Sequence, residues 1–237
     1  MQTYAVYMKP RGSHAGSLAS DNLFGALCWA MRALYGPQPL MEMLEGFNDA
    51  PKFVISSAFP YLFKGERKVR LFPRPQLLKL KRSQVKALAG GDKGEEVKAM
   101  ERMKRLYETT HISQAIFEEM VRGQTGFPEI YNRLAERGVV KSDIEEVGKV
   151  LITKGEREVV DPEGEIKTFW REVDIQRNQI DRVSGATVEG LLFFHRQTFL
   201  NKGVGMWFLV MTEDIEFLKP LLRYLADTGI GGDRGVG

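Results

Sequence analysis

The first 34 residues of the chain show two different hydrophobic periodicities. Polar and apolar positions alternate over residues 2–9, and this period of two predicts a first β-strand. A Gly/Ser-rich turn at residues 10–20 follows. Apolar positions then recur every three or four residues over 23–34, which predicts a helix capped by Ser20 or Asp21. Because the apolar stripe is broad, we expect this helix to pack on a sheet.

Further along the chain the same two periods recur. A helical period over residues 83–137, interrupted by glycines, predicts an inserted helical region. Shorter patterns predict the remaining elements of the chain up to residue 176: a helix over 40–45, and strands over 53–58, 69–72, 147–153, 157–160 and 168–176.

The last third of the chain has the pattern of a hairpin followed by a helix. Residues 191–200 and 204–211 read as strands, and residues 201–203, Asn-Lys-Gly, have the composition of a hairpin turn. Asp214 then caps a helix that is split or kinked at Pro220.

The element order predicts an α+β fold. A strand, a helix and paired strands occupy the first half of the chain, and paired strands and a helix occupy the second half. Two ferredoxin-like (RRM-like) units, each β-α-β-β-α-β with an antiparallel sheet covered by helices on one side, satisfy this order. We expect an N-terminal domain over residues 1–140, with its helical insert at about 83–137, and a C-terminal domain over residues 141–237.

Composition fits a folded chain. It has 237 residues, 43% hydrophobic and 27% charged, which is enough for one large domain or two smaller ones. Its longest uncharged apolar stretch, residues 23–31, is well short of the roughly 18 residues that cross a membrane. We therefore expect a cytoplasmic protein. A single cysteine, Cys28, excludes an internal disulfide, and three scattered histidines argue against a zinc site.

The positive charge is concentrated in one segment. Residues 64–86 contain nine Lys and Arg side chains against one Glu, a charge of +8, so the net charge of +3 leaves 3 − 8 = −5 for the rest of the chain. Such a patch attracts polyanions, and nucleic acid is the first partner to consider. The alternative is an ordinary solvated face.

The chain ends in a glycine-rich segment. Five of the nine residues over 229–237 are glycine. The segment follows a helix and carries no lysine, so it is neither a Rossmann turn nor a P-loop. Its backbone N–H groups offer an anion-binding nest beside Arg234. The alternative is a flexible terminal tail.

Three segments carry a family resemblance. Residues 229–234 (GIGGDR), after an amphipathic helix, resemble the glycine-rich loop of the RAMP superfamily of CRISPR-associated proteins. Residues 20–30 (SDNLFGALCWA) and 177–187 (RNQIDRVSGAT) resemble the first helix and the central segment of one RAMP family, the fourth subunit of type III-A Csm effector complexes. The three segments stand in the family's order and span the chain.

The resemblance implies a non-catalytic, Cas-five-like subunit without a cofactor, which caps the 5′ handle of CRISPR RNA. It also implies contacts with the large polymerase-palm-like subunit and with a Csm backbone subunit, and none with a membrane. Carried over residue by residue, the RNA-facing positions are Lys9, Arg11, His14, Arg177, Asn178, Arg182, Ser184, Gly231, Gly232, Asp233 and Arg234. Family members continue past the glycine loop into another strand, so the last strand is expected to be missing from a chain that stops at Gly237.

Two other functions stay open from the residues alone. One is a metal-independent CRISPR-RNA processing endonuclease of the same superfamily with His14 as general base. The other is a protein-interaction module with an incidental basic face. The other candidates for chemistry read as structural: His111 as a helix cap or surface residue, His195 as a packed sheet residue and Cys28 as a core thiol.

Overall fold

The computed structural model describes residues 1–75, 83, 93–133, 143–180 and 187–230. The α+β class predicted from the sequence is confirmed. In chain order the elements are β1 (Gln2–Met8), β2 (His14–Ala15), α1 (Ser20–Tyr35), α2 (Pro37–Glu45), β3 (Phe53–Ile55), β4 (Phe59–Lys64), β5 (Arg67–Pro73), α3 (Lys93–Glu108), β6 (His111–Ser113), α4 (Gln114–Val121), α5 (Phe127–Arg133), β7 (Ile144–Val147), β8 (Val150–Thr153), α6 (Lys154–Val160), β9 (Trp170–Ile180), β10 (Thr187–Leu200), β11 (Val204–Thr212) and α7 (Ile215–Thr228).

The chain divides into two compact units that are interleaved along the sequence. Unit 1 contains Met1–Phe59, Trp170–Leu200 and Gly205–Gly237, and unit 2 contains Pro60–Phe169 and Asn201–Val204. Each unit therefore takes residues from both sides of the boundary that the sequence predicted at residue 140.

The first sheet of unit 1 consists of β1, β11 and β3 in that order, all antiparallel. Alternate residues of these strands, such as Val6 and Val210, join the apolar stripe of α1 and α7 in one core. Leu23 and Leu218, the central residues of the two stripes, are almost fully buried. The predicted packing of the first helix on a sheet is confirmed.

The two helices of this core begin differently. α1 starts at Ser20 after an extended Ala19 and has no side-chain cap, so the predicted cap at Ser20 or Asp21 is wrong. Instead, the Ser20 N–H donates to Ser57 Oγ at 3.1 Å. α7 has the cap that was predicted, because Asp214 Oδ1 accepts from the Phe217 N–H at 3.1 Å.

The second sheet of unit 1 consists of β2, β10 and β9 in that order. β9 and β10 pair antiparallel, starting with Trp170 opposite Leu200, and form a long two-stranded ribbon. The register shifts between Thr187 and Leu192. We call these two strands, Trp170–Ile180 and Thr187–Leu200, the β9–β10 ribbon.

The hairpin predicted between residues 191–200 and 204–211 is wrong. The two strands exist, but β10 pairs with β9 and β2, whereas β11 pairs with β1 and β3. The turn between β10 and β11 is anchored by Asn201, whose Nδ2 donates to the Thr168 carbonyl oxygen at 2.6 Å. Gly203 has φ +81°, and a Cβ there would lie 3.2 Å from the Phe63 carbonyl oxygen, so the turn requires glycine.

Unit 2 is built on the sheet order β4-β5-β6-β8-β7. β6 and β8 are parallel and the other neighbours are antiparallel. Its core is formed by buried side chains of α3, α4, β6 and β8, including Leu106, Ile112, Ile116 and Leu151. Since β6 lies between α3 and α4, the region predicted as a helical insert also contributes a strand.

A short helix replaces the strand predicted over 157–160. Thr153 caps α6 by accepting from the Glu156 N–H at 3.3 Å. Glu156 in turn accepts from the Ala115 N–H at 2.9 Å, which ties the start of α6 to the start of α4. The side-chain cap of Thr153 satisfies an N–H of the first helical turn, which favours the helix over the strand. The strand predicted over 147–153 is two strands, β7 and β8, that turn at Gly148 and Lys149.

Candidate RNA-facing site

The first three predicted site residues lie in the loop between β1 and α1, residues 9–19. Lys9 and Arg11 are exposed and His14 is half-buried. The C-terminal end of this loop is fixed to the body of unit 1, because the Ala58 N–H donates to the Leu18 carbonyl at 2.8 Å.

The imidazole of His14 is oriented by its own loop. His14 Nδ1 lies 2.9 Å from the Gly16 carbonyl oxygen. Because a carbonyl only accepts, Nδ1 carries the proton and Nε2 is the remaining nitrogen of the ring. Gly16 has φ +62°, a backbone conformation that favours glycine. His14 therefore presents Nε2 as an acceptor when it is neutral and as a donor when it is protonated.

The loop is also attached to the β9–β10 ribbon. β2 pairs with β10, so that His14 lies opposite Thr198 and Ala15 opposite Gln197. Ser13 Oγ donates to Gln197 Oε1 at 2.6 Å. Of the predicted residues in this loop, His14 thus belongs to a sheet made with the C-terminal half of the chain.

The same ribbon carries the next two predicted residues. On β9, Arg177 pairs with Phe193 and Asn178 with Leu192 of β10. The backbone of β10 covers five residues between Phe193 and Thr198, or roughly 17 Å at the usual rise of a strand. The structure therefore places His14, Arg177 and Asn178 on one sheet, but not in one contact cluster.

The other predicted site residues, Arg182, Ser184, Gly231, Gly232, Asp233 and Arg234, lie outside the described residues, as does most of the basic segment after residue 75. Two basic residues before that point have partners within unit 2. Lys64 Nζ lies 2.8 Å from Glu163 Oε2, and Arg74 Nε donates to the Thr109 carbonyl at 3.0 Å. Part of the positive charge therefore supports the fold of unit 2.

Sequence reasoning missed an aromatic residue on the ribbon. Phe194 of β10 is 66% exposed. Two residues further along β10, the Arg196 guanidinium holds Asp174 of β9 through Nε–Oδ1 at 2.8 Å and Nη2–Oδ2 at 3.2 Å. This hydrogen-bonded pair lowers the pKa of Asp174. The sequence signal was the Phe-Phe pair at 193–194, since consecutive residues of a strand lie on opposite faces.

The other candidates for chemistry have structural environments. The prediction that His111 is a helix cap or surface residue is wrong: it lies in strand β6, and burial lowers the pKa of its imidazole to about 4. His195 is half-buried in β10, as predicted for a packed sheet residue. Cys28 packs against the core of unit 1, and burial raises the pKa of its thiol, which confirms the prediction of a core thiol.

The described residues contain no group of three His, Cys, Asp or Glu side chains placed to hold a metal ion. None of the helices in the described ranges is both long and apolar enough to span a membrane.

One curated protein matches almost the whole chain. No family model matches this chain. The chain is 26% identical over 231 residues to the CRISPR system Cms protein Csm4 of Thermococcus onnurineus (strain NA1). The match covers 96% of this chain and 63% of the relative, so the chain spans less than two thirds of that protein's length.

Solved structures show the same fold. A chain in the crystal structure of the Csm3-Csm4 subcomplex of a type III-A CRISPR-Cas interference complex matches with a TM-score of 0.59 and 18% identity, covering 98% of this chain and 66% of that one. A chain in the crystal structure of a Csm1-Csm4 cassette with pppApA matches with a TM-score of 0.54 and 20% identity, covering 95% and 67%.

These matches define the class in two steps. The chain is similar over almost its whole length to a curated CRISPR-associated protein, and it shares its fold with chains of solved Csm complexes. More narrowly, it is a Csm4-like RAMP protein. The family resemblance drawn from residues 20–30, 177–187 and 229–234 is confirmed.

Proposed function

We propose that this chain is a non-catalytic, RNA-binding subunit of a type III-A CRISPR Csm complex that caps the 5′ handle of CRISPR RNA. The observation that carries the proposal is the match to Csm4 along 96% of the chain. The arrangement of the predicted residues supports it, because His14 in β2 and Arg177 and Asn178 in β9 belong to one three-stranded sheet. Lys9 and Arg11 lie in the loop that contains β2.

The residue types suit this ligand. Arg and Lys pair with phosphates, and Asn178 and Ser184 have groups that hydrogen-bond base edges or 2′-hydroxyls. Gly231 and Gly232 allow a close approach of the RNA backbone, and Arg234 adds a bidentate phosphate partner. A handle bound in this way would contact the β1–α1 loop, the ribbon and the glycine-rich segment.

The partners follow from the same relatives. The matching crystal structures contain Csm4 with Csm1 in one case and with Csm3 in the other. We therefore include in the proposal that this chain bridges a Csm1-type large subunit and a Csm3-type backbone subunit.

The topology of unit 1 fits one RAMP domain. A β-α-β-β-α-β unit places its first strand beside its third and its third beside its second. β1, β11 and β3, with the helices α1 and α7, have this order and lack only the last strand among the described residues. We therefore propose one ferredoxin-like domain, which lies in unit 1. Unit 2 has a different order, with the parallel pair β6 and β8.

The test is binding and assembly. Filter binding with RNA that carries the 5′ handle, compared with a scrambled RNA of equal length, should show a preference for the handle. The chain should also co-purify with Csm1-type and Csm3-type subunits in the presence of CRISPR RNA. Equal affinity for the two RNAs together with failure to co-purify would contradict the proposal.

The endonuclease alternative has its own assay. Purified protein incubated with repeat RNA in excess EDTA should leave the RNA intact. Single-turnover cleavage that disappears in His14→Ala would show that the chain is a processing enzyme instead.

A further inference from the structure

Phe194 has a specific set of neighbours on the β9–β10 ribbon. Its ring is 66% exposed. Directly opposite on β9 lies Gln176, which is also exposed. On the same face, two residues along β10, lies Arg196, bound to Asp174 opposite. Side chains directly opposite in an antiparallel pair have Cβ atoms about 5 Å apart, so the ring, the amide and the guanidinium are neighbours.

We propose that Phe194, Gln176 and Arg196 form a platform that stacks one unpaired base of single-stranded RNA. The proposal rests on the RNA-binding function proposed above and names the contact that the ribbon makes with its ligand.

Each of the three side chains matches one part of a nucleotide. The exposed ring offers its face to a base, a contact that is tolerant of base identity. The Gln176 amide has both a donor and an acceptor for a base edge. Arg196 uses Nε and one Nη2 hydrogen for Asp174, so three of its five N–H groups have no partner among the described residues and are available to a phosphate.

The bidentate pair with Asp174 also holds the guanidinium in place. Its two hydrogen bonds, at 2.8 and 3.2 Å, fix the guanidinium plane across the two strands. A pre-oriented cation loses less conformational freedom when it binds a phosphate. The platform is thus largely formed before RNA arrives.

The surroundings of Phe194 favour RNA over a protein partner. Beyond Arg196, the next row of the same face consists of Thr198, Glu172 and His14, all polar. The core of a protein interface is a contiguous apolar patch depleted in charge. Among the described side chains of this face, Phe194 is a single aromatic ring beside hydrogen-bonding groups, which matches a base with its apolar face and polar edges.

The experiment uses the full chain and short single-stranded RNAs that carry 2-aminopurine at successive positions, since stacking on an aromatic ring quenches this fluorophore. At one position, the wild type should quench the fluorescence and Phe194→Ala should not. Phe194→Ala should weaken RNA binding by roughly 5- to 150-fold, the range expected for one stacked base. Phe194→Trp should keep wild-type affinity, and Phe194→Leu should be as weak as Phe194→Ala, because it keeps apolar area and loses the ring.

Two controls isolate the stacking contact. Trp29 of α1 is 67% exposed and lies under the Arg32 guanidinium, 5.2 Å from the ring centroid. Trp29→Ala removes an equally exposed aromatic residue and should leave RNA affinity unchanged. An RNA with an abasic site at the quenched position should bind the wild type and Phe194→Ala equally.

The outcomes separate this proposal from the one it rests on. If the wild type binds no RNA, the proposed function fails and the platform with it. If the wild type binds RNA and Phe194→Ala or Phe194→Leu binds equally well, only the platform is overturned. If Phe194→Ala keeps RNA affinity but no longer co-purifies with a Csm1-type or Csm3-type subunit, Phe194 is a protein contact and the platform is likewise overturned.

Discussion

Ser13 and Gln197 lie 184 positions apart in the chain and are joined by a hydrogen bond of 2.6 Å from Ser13 Oγ to Gln197 Oε1. This bond links the loop after the first strand to the β9–β10 ribbon. It lies next to the pairing of His14 with Thr198 and of Ala15 with Gln197. The N-terminal and C-terminal thirds of the chain therefore build the candidate RNA-facing sheet together.

The first prediction concerns this link. Ser13→Ala removes the donor, so we expect faster hydrogen exchange in residues 13–16 and a loss of about 1 kcal/mol in global stability. Ser17→Ala is the matched control, because Ser17 is an exposed serine in the same loop. Equal exchange rates in the two variants would show that the strand pairing alone holds the loop.

The second prediction concerns the half-buried histidine of unit 2, His111 in strand β6. Burial lowers the pKa of His111 to about 4, so its imidazole takes up a proton more readily in the unfolded chain. Its effect on stability is absent above about pH 6.5 and grows as the pH falls toward about 4, where it destabilises the fold by about 3 kcal/mol. Urea midpoints across this window should fall for the wild type and fall less for His111→Gln.

The control for His111 keeps the imidazole and removes a neighbour. Thr110 Oγ1 lies 2.9 Å from His111 Nδ1. Thr110→Val should therefore retain the wild-type dependence on pH. If His111→Gln and the wild type lose stability in parallel between about pH 6.5 and about pH 4, another group is responsible.

The third prediction concerns an ion-paired arginine. Arg133 hydrogen-bonds both Glu119 and Asp143, and these bonds lower the pKa of each carboxyl group. The contribution of a carboxyl group with a lowered pKa is present above its unfolded pKa and is lost as the pH falls through its folded pKa. Since the three side chains are partly exposed, Arg133→Met should cost only about 1 to 2 kcal/mol at neutral pH.

The acid range tests this assignment. Below about pH 4 the difference between the wild type and Arg133→Met should shrink, because both carboxyl groups become protonated. Arg122→Met is the control: Arg122 pairs with Glu118 on the surface of α4, with 61% of its side chain exposed. Its removal should cost less than about 0.5 kcal/mol. Equal losses in the two variants at neutral pH would contradict the prediction.

The fourth prediction concerns the start of α7. Asp214→Ala should cost about 1 kcal/mol and lower the melting temperature, because the Phe217 N–H loses its acceptor. Asp214→Asn keeps an acceptor and should restore most of the loss. Glu213→Ala changes the neighbouring residue, whose side chain is 81% exposed, and should have little effect. A melting temperature for Asp214→Ala equal to that of the wild type would rule out the cap.

Periodicity predicted the parts of the fold in which one face of an element is buried. The alternation over residues 2–9 and the stripe over 23–34 correspond to β1 and α1, whose apolar positions meet in the core of unit 1. A strand shows the same alternation at any position in a sheet, so the pattern does not tell which strands pair with each other. For this reason the strands over 191–200 and 204–211 were found and their pairing was not.

The remaining errors have local causes. Residues 157–160 have the composition of a short strand, but the Thr153 side chain caps a helix that starts just before them. β2 has two residues and becomes visible only through its pairing with β10. The sheet that joins His14 to the ribbon depends on contacts across the length of the chain, and only the family resemblance linked these segments beforehand.

The last prediction separates two kinds of basic residue, both taken from the sequence and both outside the described residues. Arg234 stands among glycines, where one guanidinium can hold one phosphate at close range. Arg234→Ala should therefore cost on the order of 1 to 3 kcal/mol of binding to RNA with the 5′ handle.

The basic segment should act differently, because its charges are spread over residues 64–86. Neutralising Lys79, Lys81 and Arg82 together should lower the affinity for any RNA about equally. It should also reduce the slope of log K against log salt by up to roughly 2 units. Filter-binding titrations at several salt concentrations, with handle-bearing and scrambled RNA, measure both effects. If Arg234→Ala keeps the handle preference and the triple variant abolishes it, the specific contact lies in the basic segment and the two roles are reversed.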